Sequence, residues 1–393
     1  MSLDFLQVSQ QVKTLGEKAI QRQYDLRTKL VETHMLLEER ATEIEMLQNK
    51  VQEVVRKFDP TLRCATPVQE ALNAHHPLPP LPEQITLIAA DGSQIFADRH
   101  AEVDYGLVNT GAIWMRYGSA EAPVTSIHSQ LIYAEQLENL SDDRLSLQRD
   151  LAERTRLLEL ASQTPPPVIT LTDGPLELWT TSLEEGKVAG EFKKSLDLYL
   201  KVLHKLRDIH ATTAGYVDKP GADLVVRLLE VAKAGDADLS EMRSYHPFKG
   251  VTDVELYRDL LSTGERSAIF GIQSRSSKPY QGEVGLHFFY LNVGRDEHPY
   301  LARVEIPAWV AEDPARLDNL HAVLVSQCRM IGARAYPYLL HRAHETALVS
   351  MDDKEQVTQM IVNELRKRGL EVPGLSAKQY NKDVTGNRTR YGA

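Results

Sequence analysis

Apolar residues recur every seven positions from Leu30 through Leu37, Ile44 and Val51 to Phe58, and Leu26, Ala41, Leu47, Val54 and Val55 fall three or four positions away. That spacing keeps one side of a helix apolar. Charged residues such as Glu38, Glu39, Arg40, Lys50 and Arg56 lie between them, Gly16 is the one glycine of the stretch, and Pro60 ends it. The pattern predicts a long helix over residues 1–58. Such a helix either packs on its own domain or reaches out as an arm to a second chain or a partner. Residues 59–83 hold His75-His76 and then Pro77, Pro79, Pro80 and Pro82, which predicts an extended, stiff linker.

The run Ile85-Thr86-Leu87-Ile88-Ala89-Ala90 is apolar and rich in β-formers, the pattern of a buried strand. It is expected to stop at Asp91-Gly92-Ser93. Alternating segments on either side of Gly111 predict strands that form a meander with it. Residues 127–163 read as helix, with Leu145, Leu147, Leu151, Leu157, Leu158 and Leu160 as its apolar positions. Pro165, Pro166 and Pro167 stop that helix. Val168-Ile169-Thr170-Leu171-Thr172 is a second short β-rich run, ending in Asp173-Gly174-Pro175. Further helices are expected over 191–210, 317–331 and 341–368, and strands over 213–218, 270–273, 284–293 and 300–306. Strands that alternate with helices favour a mixed α/β domain with helices on both faces of a sheet.

Composition adds bounds. The 393 residues are 42% apolar and 25% charged, ordinary values for a globular chain. The length suits one large domain with appendages, or two domains. A net charge of -10 argues against coating nucleic acid through bulk charge. It leaves room for a local basic channel or an acidic metal site. The tail from Ser376 to Ala393 is locally basic. No apolar stretch reaches the roughly 18 residues of a membrane span, and the start of the chain lacks the pattern of a secretory signal. Two cysteines make neither a disulfide framework nor a four-cysteine zinc site. The expected setting is cytoplasmic. Phosphate-cradling Walker loops, GxSxG and HExxH are absent.

The informative feature is the recurrence of an apolar strand followed by Asp-Gly. In α/β sheets ligands collect outside the carboxyl ends of strands. If the two strands are neighbours, Asp91 and Asp173 share one site. Two carboxylates so close repel unless a divalent cation neutralises them. The plain alternative is that Asp-Gly is a common turn and needs no chemistry. A third oxygen ligand would come from the preceding helix, as Glu153 or Glu159. His341 and His344 lie three apart on one helical face. In the loop of Arg275, Lys278 and Tyr280, the two cations and Lys219 are candidates for phosphate contacts, and Tyr280 for stacking on a base.

With these residues the chain resembles the NurA family of nucleases. The resemblance rests on Asp91-Gly92-Ser93, a helix carrying a glutamate, Asp173-Gly174-Pro175, and a late Ala335-Tyr336-Pro337 followed by Ala343-His344. It spans about residues 85 to 350. It implies an RNase H-like core, here residues 84–350, between the arm and linker on one side and a carboxyl-terminal helix with its basic tail (351–393) on the other. It also implies a manganese-dependent site, with magnesium as a substitute, that degrades DNA as a 5′ exonuclease and single-strand endonuclease. The implied partners are DNA, a second copy of the chain and a hexameric HerA-type ATPase, in DNA repair or in defence against foreign DNA. Matched to the motif, Asp91 and Asp173 are metal-binding aspartates and His344 is the carboxyl-terminal histidine. Glu153 is the favoured glutamate with Glu159 in reserve, and Tyr216 matches a family tyrosine. The rival readings are a catalytically silent subunit that docks an ATPase, and a two-aspartate peptidase that works in acid without metal.

Overall fold

The computed structural model describes residues 3–97, 103, 105–133, 142–178, 187–332 and 335–370. The expected basic tail lies outside the described residues. The chain divides into two compact units. The first comprises Met1–Pro82, Gly174–Glu177 and Ala214–Pro337; the second comprises Glu83–Asp173, Leu178–Thr213 and Tyr338–Ala393.

The first unit opens with α1 (Phe5–Glu39) and α2 (Ile44–Lys57), so the expected single helix breaks at residues 40–43. Arg40 closes α1, its N–H donating back to the Leu36 carbonyl. The seven-residue series marks the face that packs. Thr33 and Leu37 of α1 and Leu47, Val51 and Val54 of α2 are buried, and both helices pack on α5 (Leu224–Lys233). The amino-terminal half of α1 stays open, with Phe5, Leu6, Val12, Leu15 and Ile20 all more than half exposed. The free arm is therefore much shorter than 58 residues.

The stretch expected to be a stiff linker forms β1 (Cys64–Pro67) and β2 (His75–His76), with Leu62, Cys64, Ala65 and Leu72 buried. The rest of the first unit holds β7 (Thr212–Val217, which begins in the second unit), α6 (Asp236–Leu239), α7 (Asp253–Arg258), β8 (Arg266–Ser267), β9 (Phe270–Gln273), β10 (Leu286–Asn292), β11 (Leu301–Pro307), α8 (Ala308–Ala311) and α9 (Pro314–Arg329). Its strands run β1-β9-β10-β11-β7, each pair antiparallel. Asp253, fully buried, accepts hydrogen bonds from the N–H groups of Val225 and Val226 at the start of α5 and from the Tyr290 hydroxyl. It is a satisfied structural carboxylate: burial pushes its acid up to about 6 against those donors.

The second unit carries the expected meander. β3 (Ile85–Ile95), β4 (Tyr105–Tyr117) and β5 (Val124–Tyr133) are antiparallel neighbours, followed by α3 (Asp142–Ser162) and β6 (Val168–Asp173), which lies parallel to β3. α4 (Lys187–Asp208) follows, and α10 (Tyr338–Ala347) and α11 (Met351–Lys367) complete the unit. The strand order is β5-β4-β3-β6 with the start of β7 beside β6, where the Thr213 and Thr170 hydroxyls meet at 2.5 Å. Three antiparallel strands, a helix, then a strand parallel to the first is the order of an RNase H-like core, as expected from the resemblance.

Burial explains the sequence pattern. α3 and α10 both pack on β3, so Ile85 to Ala90 are buried on both faces and read as a continuous apolar run. Residues 127–133, read as helix from the sequence, instead belong to β5. That strand lies at the sheet edge and is exposed at nearly every position, so no buried face imposes an alternation of period two.

Candidate metal centre

The first Asp-Gly does not end its strand. β3 runs on to Ile95, and β4 pairs with it over the whole length, from Ile85↔Tyr117 to Ile95↔Leu107. What ends is the other neighbour. The last pair between β3 and β6 is Ala90↔Thr172, so Asp91 and Asp173 are the next residue on each of two adjacent parallel strands. The register thus places both aspartates together, at the carboxyl end of β6.

Gly92 then meets α3. A Cβ on Gly92 would lie 2.5 Å from Arg149 Cγ and 2.7 Å from Glu153 Oε1. The missing side chain makes the space in which Glu153 approaches the strand. Glu153 is only 5% exposed, its Oε1 lies 3.3 Å from Arg149 Nε, and its Oε2 lies 3.5 Å from Arg154 Nη1. Burial pushes its acid up to about 8; Arg154 opposes the rise, and the nearby charges of Asp150 and Asp91 add to it. Arg154 is itself buried, donates to the Asp150 carbonyl and lies over the Tyr199 ring at 5.3 Å. Glu159, the reserve candidate, points elsewhere: its side chain is half exposed and pairs with Arg156 at 2.9 Å.

Ser93 and Gly111 bring in the last residue. Ser93 Oγ and Asn109 Nδ2 both donate to the Ala347 carbonyl, at 2.5 and 2.8 Å. Asn109 is held in turn by the Ser129 hydroxyl at 2.6 Å. Gly111 pairs with Asp91 across β3 and β4, and a Cβ there would lie 2.5 Å from the Ala347 nitrogen and 2.7 Å from the Thr346 carbonyl carbon. The end of α10 thus rests directly on the strand. This close seat delivers His344, whose Nδ1 donates to Asp91 Oδ2 at 2.7 Å. The other oxygen, Asp91 Oδ1, accepts from the Gly92 N–H at 2.8 Å. His341, one turn earlier, pairs with Glu345 at 3.5 Å.

Asp91, Glu153, Asp173 and His344 all belong to the second unit, and the structure places them around the end of one sheet. Sequence reasoning missed Arg149, Ser93, Asn109 and Gly111. Arg149 had a legible signal, because it stands four residues before Glu153 on the same helical face. The other expected contacts belong to the first unit. Tyr216 is fully buried and donates its hydroxyl to the Ala335 carbonyl at 3.2 Å, beside Cys328 and edge-on to Tyr336. Because it is enclosed in the core, it offers no face to a substrate, and the expectation is corrected. Tyr280 is 5% exposed and cannot stack on a base. Lys219, Arg275 and Lys278 are exposed.

The donor chemistry suits a hard divalent cation: oxygen ligands only, from two aspartates on neighbouring strands and one desolvated glutamate. The carboxylates are at present turned onto partners within the chain, Asp91 onto the His344 ring and Glu153 onto the Arg149 and Arg154 guanidinium groups. Among the described residues no three His, Cys, Asp or Glu side chains converge as a ready-made ligand cage.

Comparison with known proteins agrees with the resemblance. The family described as the NurA domain matches residues 85–349, well over half of the chain. Among solved structures, the NurA nuclease from Sulfolobus solfataricus aligns with a TM-score of 0.47 and 14% identity, over 84% of this chain and 95% of that one. The catalytic domain of human Endonuclease V aligns at 0.31 and 15%, over 81% and 98%. LC9-RNase H1, a type 1 RNase H, aligns at 0.22 and 17%, over 40% and 70%. The comparison with curated proteins finds no match. By the match that covers both Asp-Gly strands, α3 and His344, the chain belongs to the NurA family.

Proposed function

We propose that this chain is a divalent-metal-dependent nuclease that hydrolyses phosphodiester bonds in DNA, with its active site in the second unit. The observation that carries the reading is the register after Ala90↔Thr172, which sets Asp91 and Asp173 side by side while Gly92 admits Glu153. Asp91, Glu153 and Asp173 would hold Mn²⁺ or Mg²⁺. A divalent ion bound there supplies Lewis acidity and a water of lowered pKa.

The chain's own residues supply position and proton handling. Asp91 fixes the His344 ring through Nδ1, and the ring is otherwise 58% exposed. That hydrogen bond sets the tautomer and leaves Nε2 to take a proton from the attacking water or return one to the leaving oxygen. Burial makes Glu153 costly to ionise, and Arg154 behind it offsets part of that cost. No side chain is required as a covalent nucleophile. Cys328 is buried, and burial pushes its thiol up to about 12. Lys219, Arg275 and Lys278 are exposed cations suited to backbone phosphates.

The reading extends to what the family resemblance implies: 5′ exonuclease and single-strand endonuclease activity, a homodimer, and work alongside a hexameric HerA-type ATPase. The open apolar side chains of α1 supply a surface for such an assembly. Among the described residues no helix is long and apolar enough to cross a membrane.

The test is cleavage of linear single- and double-stranded DNA by the purified full chain in Mn²⁺, with EDTA as control and Asp91→Ala as the variant. Cleavage that stops in EDTA and in the variant is expected. A wild-type protein without metal-dependent cleavage would favour the silent-subunit reading.

A further inference from the structure

Arg149 occupies an unusual place. Its stem lies in the gap that Gly92 leaves, with Cγ where a glycine-borne Cβ would be 2.5 Å away. Its head is held on three sides. Nη2 and Nε donate to Asp150 Oδ1 at 2.7 and 3.2 Å, Nη1 donates to Gln94 Oε1 at 3.0 Å, and Nε lies 3.3 Å from Glu153 Oε1. Burial works against the charge of this guanidinium, and Asp150, then Glu153 and Asp91, more than offset it.

The two arginines on Glu153 differ in how they are held. Arg154 is 6% exposed, bonded to a helix carbonyl and stacked against Tyr199. It is part of the core. Arg149 keeps 30% of its side chain in solvent, and two of its three partners are the half-buried side chains of Asp150 and Gln94. Its contact with Glu153 is one of three that hold the head, and a guanidinium can leave one carboxylate while keeping the other. The same Glu153 oxygen, Oε1, faces both Arg149 and Gly92, 2.7 Å from where a Cβ on that glycine would stand.

On the reading that this site binds a divalent cation, we propose that Arg149 is the resident counter-ion of the site and competes with that cation for Glu153. The fixed positive charge keeps the clustered carboxylates ordered and compensated in the metal-free protein. It also weakens metal binding, because the incoming cation must displace the head from Glu153 and then sit near a like charge. A residue that merely positions Glu153 has the opposite signature: its removal would loosen a ligand and weaken the metal.

The experiment is Mn²⁺ titration of the full chain by calorimetry and by electron paramagnetic resonance, with no DNA present. The proteins are wild type, Arg149→Gln, Arg149→Lys and Asp173→Asn. Arg149→Gln should bind Mn²⁺ about tenfold more tightly than wild type. Arg149→Lys, which keeps the charge without the fork, should fall between the two. Arg149→Met keeps a stem over Gly92 and removes only the charged head, and replaces Arg149→Gln if that variant does not fold. Unchanged or weaker Mn²⁺ binding in a folded charge-removing variant, beside a wild type that binds and an Asp173→Asn that does not, overturns the counter-ion and leaves the nuclease reading standing. A wild type that binds no Mn²⁺ overturns both.

Discussion

The same dipeptide, Asp-Gly, does two different physical jobs at positions 91–92 and 173–174. Gly174 has φ +82° with no atom within 4 Å of a hypothetical Cβ. It is there for the backbone, which must turn after β6 in a left-handed conformation that side chains disfavour. Gly92 sits inside β3, paired with Thr110, and has no such φ. It is there for space, because Arg149 and Glu153 press on the strand. One glycine shapes the chain; the other shapes the site. The two aspartates are nevertheless equivalent in register, so the pair shows that a motif can be shared in sequence and in chemistry while its glycines answer to different constraints.

Substitution by alanine separates the two. Gly92→Ala should have the largest effect on the rate of cleavage. The added methyl must push aside Arg149 and Glu153, which costs about 1–3 kcal/mol of overpacking. Misplacing a catalytic group by an ångström costs about a hundredfold in rate. Melting temperature and cleavage rate in Mn²⁺ measure both, and a stable, fully active variant would remove Gly92 from the account.

Gly111→Ala extends the comparison across the ladder. Its new Cβ meets backbone atoms of Ala347 and Thr346, which cannot rotate away. The expected cost is about 3 kcal/mol, with the end of α10 and His344 lifted from Asp91. Denaturant unfolding gives the stability. The His344 imidazole resonance in NMR should shift if the contact is lost, and an unmoved resonance would show that α10 does not depend on the gap.

The buried acid behind Gly92 gives a pH prediction for the metal-free protein. The folded acid of Glu153 is raised to about 8 from 4.5. Its contribution to stability is therefore full below the unfolded value and is lost as pH rises through about 8. Between pH 5 and 9 in EDTA, wild type should lose on the order of 4 kcal/mol more than Glu153→Gln. Parallel melting curves of the two across that range would contradict the burial of this carboxylate.

Gly174→Ala should be the mildest. The left-handed backbone costs a non-glycine residue about 1 kcal/mol, and no neighbour obstructs the methyl. Activity should stay within a few-fold of wild type. A loss as large as that of Gly92→Ala would mean that the two glycines are not distinguishable in the way the geometry indicates.

How much of this was legible depended on burial. β3 and β6 announce themselves because helices or strands cover them on all sides, and a run such as Ile85 to Ala90 has few other uses. β5 did not, because Thr125, Ile127, Ser129 and their neighbours face solvent, and the apolar positions that remain fit a helix equally well. β1 and β2 hid among the prolines. In the site, the two aspartates that follow apolar runs were visible from their flanking residues, although only Asp173 ends its strand, and the glutamate was narrowed to two. The choice of Glu153 over Glu159 is set by which side of α3 meets Gly92, a matter of packing. Tyr216 shows the limit of matching residue types: an aromatic side chain in a strand is first of all a core residue, and only depth decides.

The most direct test of the central claim, that carboxylates at the end of one sheet form a metal-dependent site, is the rate of cleavage of an end-labelled single strand in Mn²⁺ by wild type, Asp173→Ala and Glu159→Ala. The account predicts cleavage by wild type that EDTA abolishes, a loss of about a thousandfold or more in Asp173→Ala, and near-normal cleavage in Glu159→Ala. Near-normal cleavage by Asp173→Ala, or cleavage that survives EDTA, would contradict it.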